Sequence, residues 1–578
     1  METEIEDEFK LPIFYLEDKI KIEEHLINDL ELIETQTQKN NHIDNNKSLY
    51  KYVFNPGNIE FANSTIPLWS KYYTANKNFI IDSQNFIKSN IPNIDINNNY
   101  DDVREIWKEI ITETGFEEKY QYLDYSFFKP LNNNAGFLQC MSLYNITSPI
   151  ISLALPIFFL IIPFFILQLQ GIPITVAKYI EVLKNVFQKH QLGQIFNVAS
   201  VSWEKRVYIL ITFMFYIIQV YQNVMSCIRF TTNMKKLHHQ LFIIREYASE
   251  TITKMDIIEE CCKKLNTYKP FIEEMKSNRH ILCVMRDDFN SITPNKLSLK
   301  KILQTGHLLK CFYQLYKRKP YHDALNYSFK FNGFLHNITI MKTSFNNGII
   351  STCKLSKKKT KFTNAYFPAL MDENPIKNTY NLDKQLLITG PNAAGKTTLL
   401  KTTIFNIIFS QQTGFGYYDS ATIRPYDFIH SYINIPDTSG RDSLFQAEAR
   451  RCKNILEEIE KCGEKTRHFC IFDELYSGTN PYEAIGSATA FLNYLNRNKN
   501  VSYMITTHFL DLCRRLDKDN SIQNTHMKIE KIGDDFKYKY IIEKGISDIK
   551  GGIKVLRDLE YPEEIINMTK KIISELNI

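Results

Sequence analysis

The 578-residue chain has eleven cysteines but no C-x-x-C pair and no Cys/His cluster at zinc-site spacing. That absence argues against a zinc ribbon and against a disulfide-framed secreted domain. Cys261 and Cys262 are adjacent and do not readily bridge to each other. The thiols therefore read as reduced, in a cytosolic setting, with no metal site. A basic start is missing too. METEIEDEFKLPIFYLED is acidic, so neither a secretory nor a mitochondrial leader is expected. The stretch reads as a solvated acidic helix or an acidic docking arm. Internal repeats and long heptad arrays are also lacking.

Charge itself is absent from two stretches. None occurs between Lys129 and Lys178, around PIISLALPIFFLIIPFFILQL, or between Arg206 and Arg229, around VYILITFMFYIIQV. A helix needs about 20 mostly apolar residues to cross a bilayer. Both runs reach that length, and Pro156 and Pro163 are tolerable inside a membrane helix. The expectation is a membrane-embedded hairpin, contacting lipid through residues 149–169 and 207–228. A pair of buried core helices is the alternative. The connecting loop carries five basic and two acidic residues, which opposes the positive-inside rule for a translocated loop. The hairpin geometry is left open.

What is present otherwise is ordinary for a folded chain. Hydrophobic residues make up 44 % and charged residues 23 %, with a net charge of +6. This balance permits nucleic acid or anionic lipid as a partner without requiring either. Four segments are expected: an acidic, Asn-rich and partly helical region (1–130), the apolar hairpin (131–229), a helical lever-like region (230–344) and a C-terminal α/β domain (345–578). LSKKKTKF, residues 355–362, is a basic run that reads as a solvated turn or a phosphate contact.

The chemistry lies in the last segment. Gly390, Pro391, Asn392, Ala393, Ala394, Gly395, Lys396 and Thr397 fit G-x-x-x-x-G-K-[ST], between the strand-like QLLITG and the helix-like TTLLKTTIFNIIF. Such a loop turns backbone N–H groups onto phosphates, and the helix N-terminus adds its positive dipole end. Lys396 would reach the β- and γ-phosphates, and Thr397 would hold Mg²⁺. Thr398 follows in the same cradle. RHFCIFDE supplies a carboxylate pair at a strand end. Asp473 would complete the Mg²⁺ shell, and Glu474 would activate the attacking water. VSYMITTH ends in His508, placed to sense the γ-phosphate or that water. The expected cofactors are ATP and Mg²⁺. In IPDTSGRDSLFQAEARR the Ser-Gly pair suits an anion-binding turn, and Arg441 and Arg450 add positive charge.

Together these motifs resemble the MutS family of mismatch-repair ATPases, within the broader ABC-type P-loop ATPases. TGPNAAGKTTLLKT is similar to T-G-P-N-M-x-G-K-S-T, and DTSGRDSLFQAE to A-S-G-R-S-T-F-x-x-E. FDELYSGTNPYEAIGSATA resembles D-E-x-G-R-G-T-S-x-x-D-G-x-x-x-A, and TTHFLDL resembles A-T-H-[YF]-x-E-L. GISDIKGGIKVLRDLEYPEEIINMTKKI is similar to the family's C-terminal helices. AYFPAL and Asn378 lie where the family carries His-Pro and Asn-Pro elements. The resemblance covers about residues 360–578. It implies head-to-tail pairing of two ATPase domains, with Ser439 and Gly440 acting in trans on the partner's nucleotide. It further implies that Asn392 orients phosphate and water, and that double-stranded DNA is a partner.

Two departures stand out. No Phe-x-Glu wedge of a mismatch reader occurs in DEFKLPIFYLED, and Asp442-Ser443 replaces Ser-Thr. The expected activity is hydrolysis of ATP by an ATP-gated homodimer that binds DNA in a repair-related role. The alternative is a membrane-anchored engine driving membrane or protein assembly without mismatch recognition. Membrane association with the ATPase domain facing the cytoplasm is the expected location. Two spans are few for an ABC transporter. The 77 positions between Lys396 and Asp473 leave no room for the long coiled coil of an SMC protein.

Overall fold

The computed structural model describes residues 9–35, 47–57, 59–89, 100–171, 175–189, 202–292, 303–433, 443–532, 535–547 and 551–575. The chain forms two compact units. One comprises Tyr100–Thr253 and Asn278–Leu325, and the other Met1–Asn99, Lys254–Ser277 and Asn326–Ile578.

The first unit is helical. Helix α1 (Ala135–Leu169) begins at Asn134, whose side chain accepts hydrogen bonds from Gly136 N and Phe137 N at 2.9 and 3.1 Å. This is the N-cap role that suits asparagine. Pro156 and Pro163 lie inside this unbroken helix. The base of α1 meets Thr305–Lys317 at Gly306, where a Cβ would come within 2.3 Å of Ala135 O. Helix α2 (Val176–Lys189) follows, with the Tyr179 ring 4.6 Å from Phe164.

Helix α3 (Trp203–Cys262) is 60 residues long, or about 90 Å at 1.5 Å per residue. Its two halves differ. Leu237, Leu241, Ile244 and Ala248 are fully buried at helical spacing, whereas Tyr208, Leu210, Phe215, Ile218 and Tyr221 are exposed. Asn223 Nδ2 donates to Ser152 Oγ at 2.5 Å and Cys227 Sγ to Ile146 O at 3.4 Å. The pairing of 152 with 223 and 146 with 227 makes α1 and α3 antiparallel.

The second unit is built on a six-stranded sheet. Its strands are β1 (Gln385–Thr389), β2 (Phe428–Tyr432), β3 (His468–Asp473), β4 (Val501–Thr507), β5 (Ile522–Ile532) and β6 (Asp535–Lys544), in the order β6-β5-β1-β4-β3-β2. All neighbours are parallel except β5 and β6. The near-continuous apolar runs of β1, β3 and β4 reflect cover on both faces. Helices of this unit used below are α4 (Lys396–Thr413), α5 (Leu444–Lys461), α6 (Pro481–Leu495), α7 (Gly552–Asp558) and α8 (Glu563–Glu575). A second, five-stranded sheet runs through Ser351–Leu355, Lys361–Ala365 and Ser420–Ile423.

The units cut across the four segments expected from composition, because the N-terminal residues pack on α4. Gln412 Nε2 donates to Trp69 O and Tyr72 O at 2.6 and 2.8 Å, and Tyr50 OH donates to Gln412 Oε1 at 2.8 Å. Gln411 Nε2 donates to Thr74 O at 3.0 Å. Buried amides must be paired, so these glutamines specify where the N-terminal segment docks.

The acidic start is not one helix. Its described part holds a 3₁₀ turn (Pro12–Tyr15), a short strand (Lys19–Lys21) and a six-residue helix (Glu24–Asp29). Between 46 and 100, the described residues form helices at Leu49–Phe54, Glu60–Trp69 and Lys77–Lys88. Asn76 caps the last of them.

Candidate nucleotide site

Parallel α/β sheets present ligand sites at the carboxyl ends of their strands. Here β1 runs into the cradle and α4, β3 ends in Asp473-Glu474, and β4 ends at Thr507-His508. The cradle needs left-handed backbone, with φ of 150° at Gly390, 62° at Ala393 and 89° at Gly395. Glycine takes such values at no steric cost, but Ala393 does not.

Lys396 is only 5 % exposed. Its Nζ donates to Gly390 O and Pro391 O at 2.9 and 3.2 Å and lies 3.0 Å from His508 Nε2. Burial pushes its pKa down, while Glu474 and Asp473 act in the opposite direction. Glu474 Oε1 is 2.7 Å from His508 Nε2 and 3.6 Å from Lys396 Nζ. The hydrogen bond with His508 holds the Glu474 carboxyl below the usual carboxylate range, against the opposing effect of burial.

Thr397 Oγ1 donates to Asp473 Oδ2 at 2.7 Å, and Thr506 Oγ1 donates to the other carboxylate oxygen. A hydroxyl and a carboxylate facing each other beside a phosphate cradle are an oxygen donor set that fits Mg²⁺. The backbone of Glu474 is left-handed, with φ of 53°, and Tyr476 follows at 60°. Bulky residues pay for that conformation, and such strain gathers at functional sites. Glu474 N is held by Thr506 O and Oγ1 at 3.2 and 3.0 Å.

A cavity of about 610 Å³ extends from the cradle to Tyr366, Phe367, Leu370 and Ile376. That volume and its apolar far end suit a nucleotide lying with phosphates on the loop and base on AYFPAL. The structure thus brings Gly390 to Thr398 together with Asp473, Glu474 and His508. Ser439, Gly440, Arg441 and Asp442 lie outside the described residues. Arg450 is exposed on α5.

Three groups were not assigned a role from sequence. Buried Glu448 on α5 accepts from Ser477 Oγ and Gly478 N, both at 3.1 Å, and so fastens α5 to the turn after Glu474. Its place in QAE was visible, but its partners were not. Tyr538 OH donates to Asn392 O at 3.1 Å across the cradle. Asn378 pairs through its side chain with Tyr540 O and Ile542 N at 2.9 and 2.8 Å, which docks β6 beside the site.

Residues 386–577 match the family model for MutS domain V. Over these residues the chain is similar to the MutS family. It is 29 % identical over 191 residues to the DNA mismatch repair protein MutS of Aquifex pyrophilus, covering 33 % of this chain and 22 % of that one. With the protein of the same name from Leuconostoc mesenteroides it shares 29 % over 206 residues, covering 35 % and 24 %. The likeness to that of Pelotomaculum thermopropionicum is 29 % over 194 residues, covering 33 % and 22 %. The matched stretch spans less than a quarter of these curated relatives. It begins at β1 and takes in the whole constellation around Lys396, together with α7 and α8.

Proposed function

We propose that the chain is a MutS-type ATPase that works as an ATP-gated homodimer. The observation that carries this reading is the meeting of Lys396, Glu474 and His508 beside the Thr397–Asp473 pair. Lys396 leaves the loop carbonyls to neutralise the β- and γ-phosphates. Glu474 takes a proton from the attacking water, and His508 holds that carboxylate in position. Thr397 and Asp473 would hold Mg²⁺, which when bound would supply charge neutralisation on the phosphate oxygens. Ser439 and Gly440 complete the partner's site in trans, and α7 and α8 grip the partner domain. Val555, Ile565 and Met568 on these helices and Leu559 between them are exposed and apolar, which supports a pairing surface.

Double-stranded DNA is the proposed partner, because the relatives are DNA mismatch repair proteins. A DNA repair-related role follows from the same support. A second reading, membrane anchoring, is favoured by the first unit. Among the described residues, α3 is long and apolar enough to cross a membrane, and its apolar part is hardly buried. Ile150, Phe158, Phe165 and Leu169 on α1 are exposed as well. An Asn223–Ser152 hydrogen bond between two otherwise apolar helices is the kind of polar tie that joins helices in lipid. The hairpin enters the bilayer, and the ATPase site faces the cytoplasm.

Hydrolysis by the full chain in lipid nanodiscs tests these readings. Lys396→Ala abolishes turnover. Glu474→Gln binds ATP, fails to hydrolyse it and accumulates dimer, and wild-type turnover in that variant would remove Glu474 as the base. A response confined to mismatched duplex supports a lesion reader. An equal response to matched and mismatched duplex supports DNA handling alone. Turnover indifferent to DNA favours the assembly role. A chain that stays monodisperse in buffer without detergent or lipid refutes the membrane anchor.

A further inference from the structure

The absence of zinc-like spacing does not exhaust the metal chemistry of this chain. Glu23, His430 and Glu458 come from three distant segments, yet each offers a ligand atom within 4.8 Å of the other two. Glu23 immediately precedes the helix Glu24–Asp29, His430 is on edge strand β2, and Glu458 is on α5. The His430 ring is 1 % exposed, with Nδ1 3.2 Å from Glu458 Oε2. His25 Nε2 is 3.0 Å from Glu23 Oε2, close enough to supply a further nitrogen.

Two independent features make this more than a solvated acidic group. The first is the support of the His430 ring. Its Nε2 lies 3.1 Å from Nδ1 of His468, which is fully buried. The second nitrogen of a ligating histidine is usually held in this way, which fixes the ring's orientation. His468 Nε2 is itself buried and finds no partner among the described residues. The second feature is charge. Three carboxylates, Glu23, Asp29 and Glu458, act on the Arg451 guanidinium, and Lys401 is a second cation acting on Asp29. Arg451 spends its donors on Ser431 O at 3.0 and 2.8 Å, and Ser431 Oγ donates to Asp29 at 2.7 Å. The carboxylates therefore outnumber the fixed positive charges, and a bound cation offsets that excess.

We propose that Glu23, His430 and Glu458 bind one divalent first-row transition metal ion of the zinc class. One imidazole with two carboxylates is a donor set such ions accept, whereas Mg²⁺ and Ca²⁺ favour oxygen alone. The fourth position falls to His25 or to water. The consequence is mechanical. Strand β2 and helix α5 flank residues 434–442, which include Ser439. A metal here staples the N-terminal segment to the elements on both sides of that stretch of sequence.

The full chain in lipid nanodiscs, stripped with a chelator and free of nucleotide, is titrated with Co²⁺ and followed by its visible absorption. Zn²⁺ is then titrated in competition with a chromophoric chelator. The expected result is one equivalent bound, weakened at least tenfold by Glu23→Gln or by Glu458→Gln. Both side chains are partly exposed, so both variants should fold, and circular dichroism checks that they do. Asp473→Asn leaves the equivalent intact, which separates it from the nucleotide site. Bound metal also raises the melting temperature of the unmodified chain and not of the Glu23→Gln/Glu458→Gln double variant. No bound equivalent, or one that persists unchanged in the double variant, overturns the site.

Discussion

His508 holds Glu474 through a 2.7 Å contact between its Nε2 and Oε1 of the carboxylate. That contact is the largest cause of the lowered Glu474 pKa. A depressed carboxyl stays ionised as pH falls and loses its charge only on passing through the lower folded value. The acidic limb of kcat/KM reports the base in the free enzyme. It should therefore lie below the ordinary glutamate range. In His508→Ala it should move to higher pH, and in His508→Gln, which can still donate a hydrogen bond, it should move less. A limb that stays fixed in both variants would separate His508 from the base.

Glu448 is the second test. Its two oxygens satisfy the Ser477 hydroxyl and the Gly478 N–H. Glu448→Ala leaves both donors without their acceptor, at about 1–3 kcal/mol for each group left buried and unpaired. Glu448→Gln keeps one acceptor oxygen. Turnover should fall by roughly tenfold or more in the alanine variant, taking about 1.4 kcal/mol per factor of ten, with partial rescue in the glutamine variant. Hydrogen exchange at Tyr476–Gly478 should quicken in the same order. Equal exchange in all three proteins would show that α5 does not position the turn after Glu474.

The start of α5 gives a third. Ser443 closes a capping box with Gln446, accepting from its backbone N–H at 3.3 Å and receiving its side chain at 2.9 Å. Loss of such a cap costs about 1 kcal/mol. Ser443→Ala should fray the first turn of α5, seen as faster amide exchange at Gln446 and Ala447. Unchanged protection there would assign the order of this helix start to packing instead.

These predictions divide by what the sequence could reveal. The cradle, the Asp473-Glu474 pair and His508 were legible because each motif is contiguous and ends a recognisable strand. Phosphate chemistry also tolerates few alternative residue types. The left-handed backbone of Glu474 and Tyr476 was not legible, since nothing local demands it of those side chains. The role of Gln411 and Gln412 was hidden for another reason. Their partners, Tyr50, Trp69, Tyr72 and Thr74, lie more than 300 positions away. The Asn-rich composition did not locate the helix starts, and Asn76 and Asn134 each begin one. An asparagine that breaks a helix interior is the same residue that caps its first turn.

Gly551 carries the last prediction. It lies in the run that resembles the family's C-terminal helices, and it immediately precedes α7. A Cβ there would come within 2.3 Å of Pro391 Cβ, far inside van der Waals contact. Pro391 belongs to the cradle and its ring cannot swing away, so the backbone on one side must move. Gly551→Ala should therefore displace the loop that receives the phosphates and weaken ATP binding by about tenfold, equivalent to roughly 1.4 kcal/mol. Gly552→Ala is the control, because a Cβ at that neighbour meets nothing within 4 Å. Fluorescent-nucleotide titration of both variants checks this. Equal affinities would mean that the cradle does not depend on the close approach of α7, and a loss in Gly551→Ala alone would tie the C-terminal helices to nucleotide capture as well as to pairing.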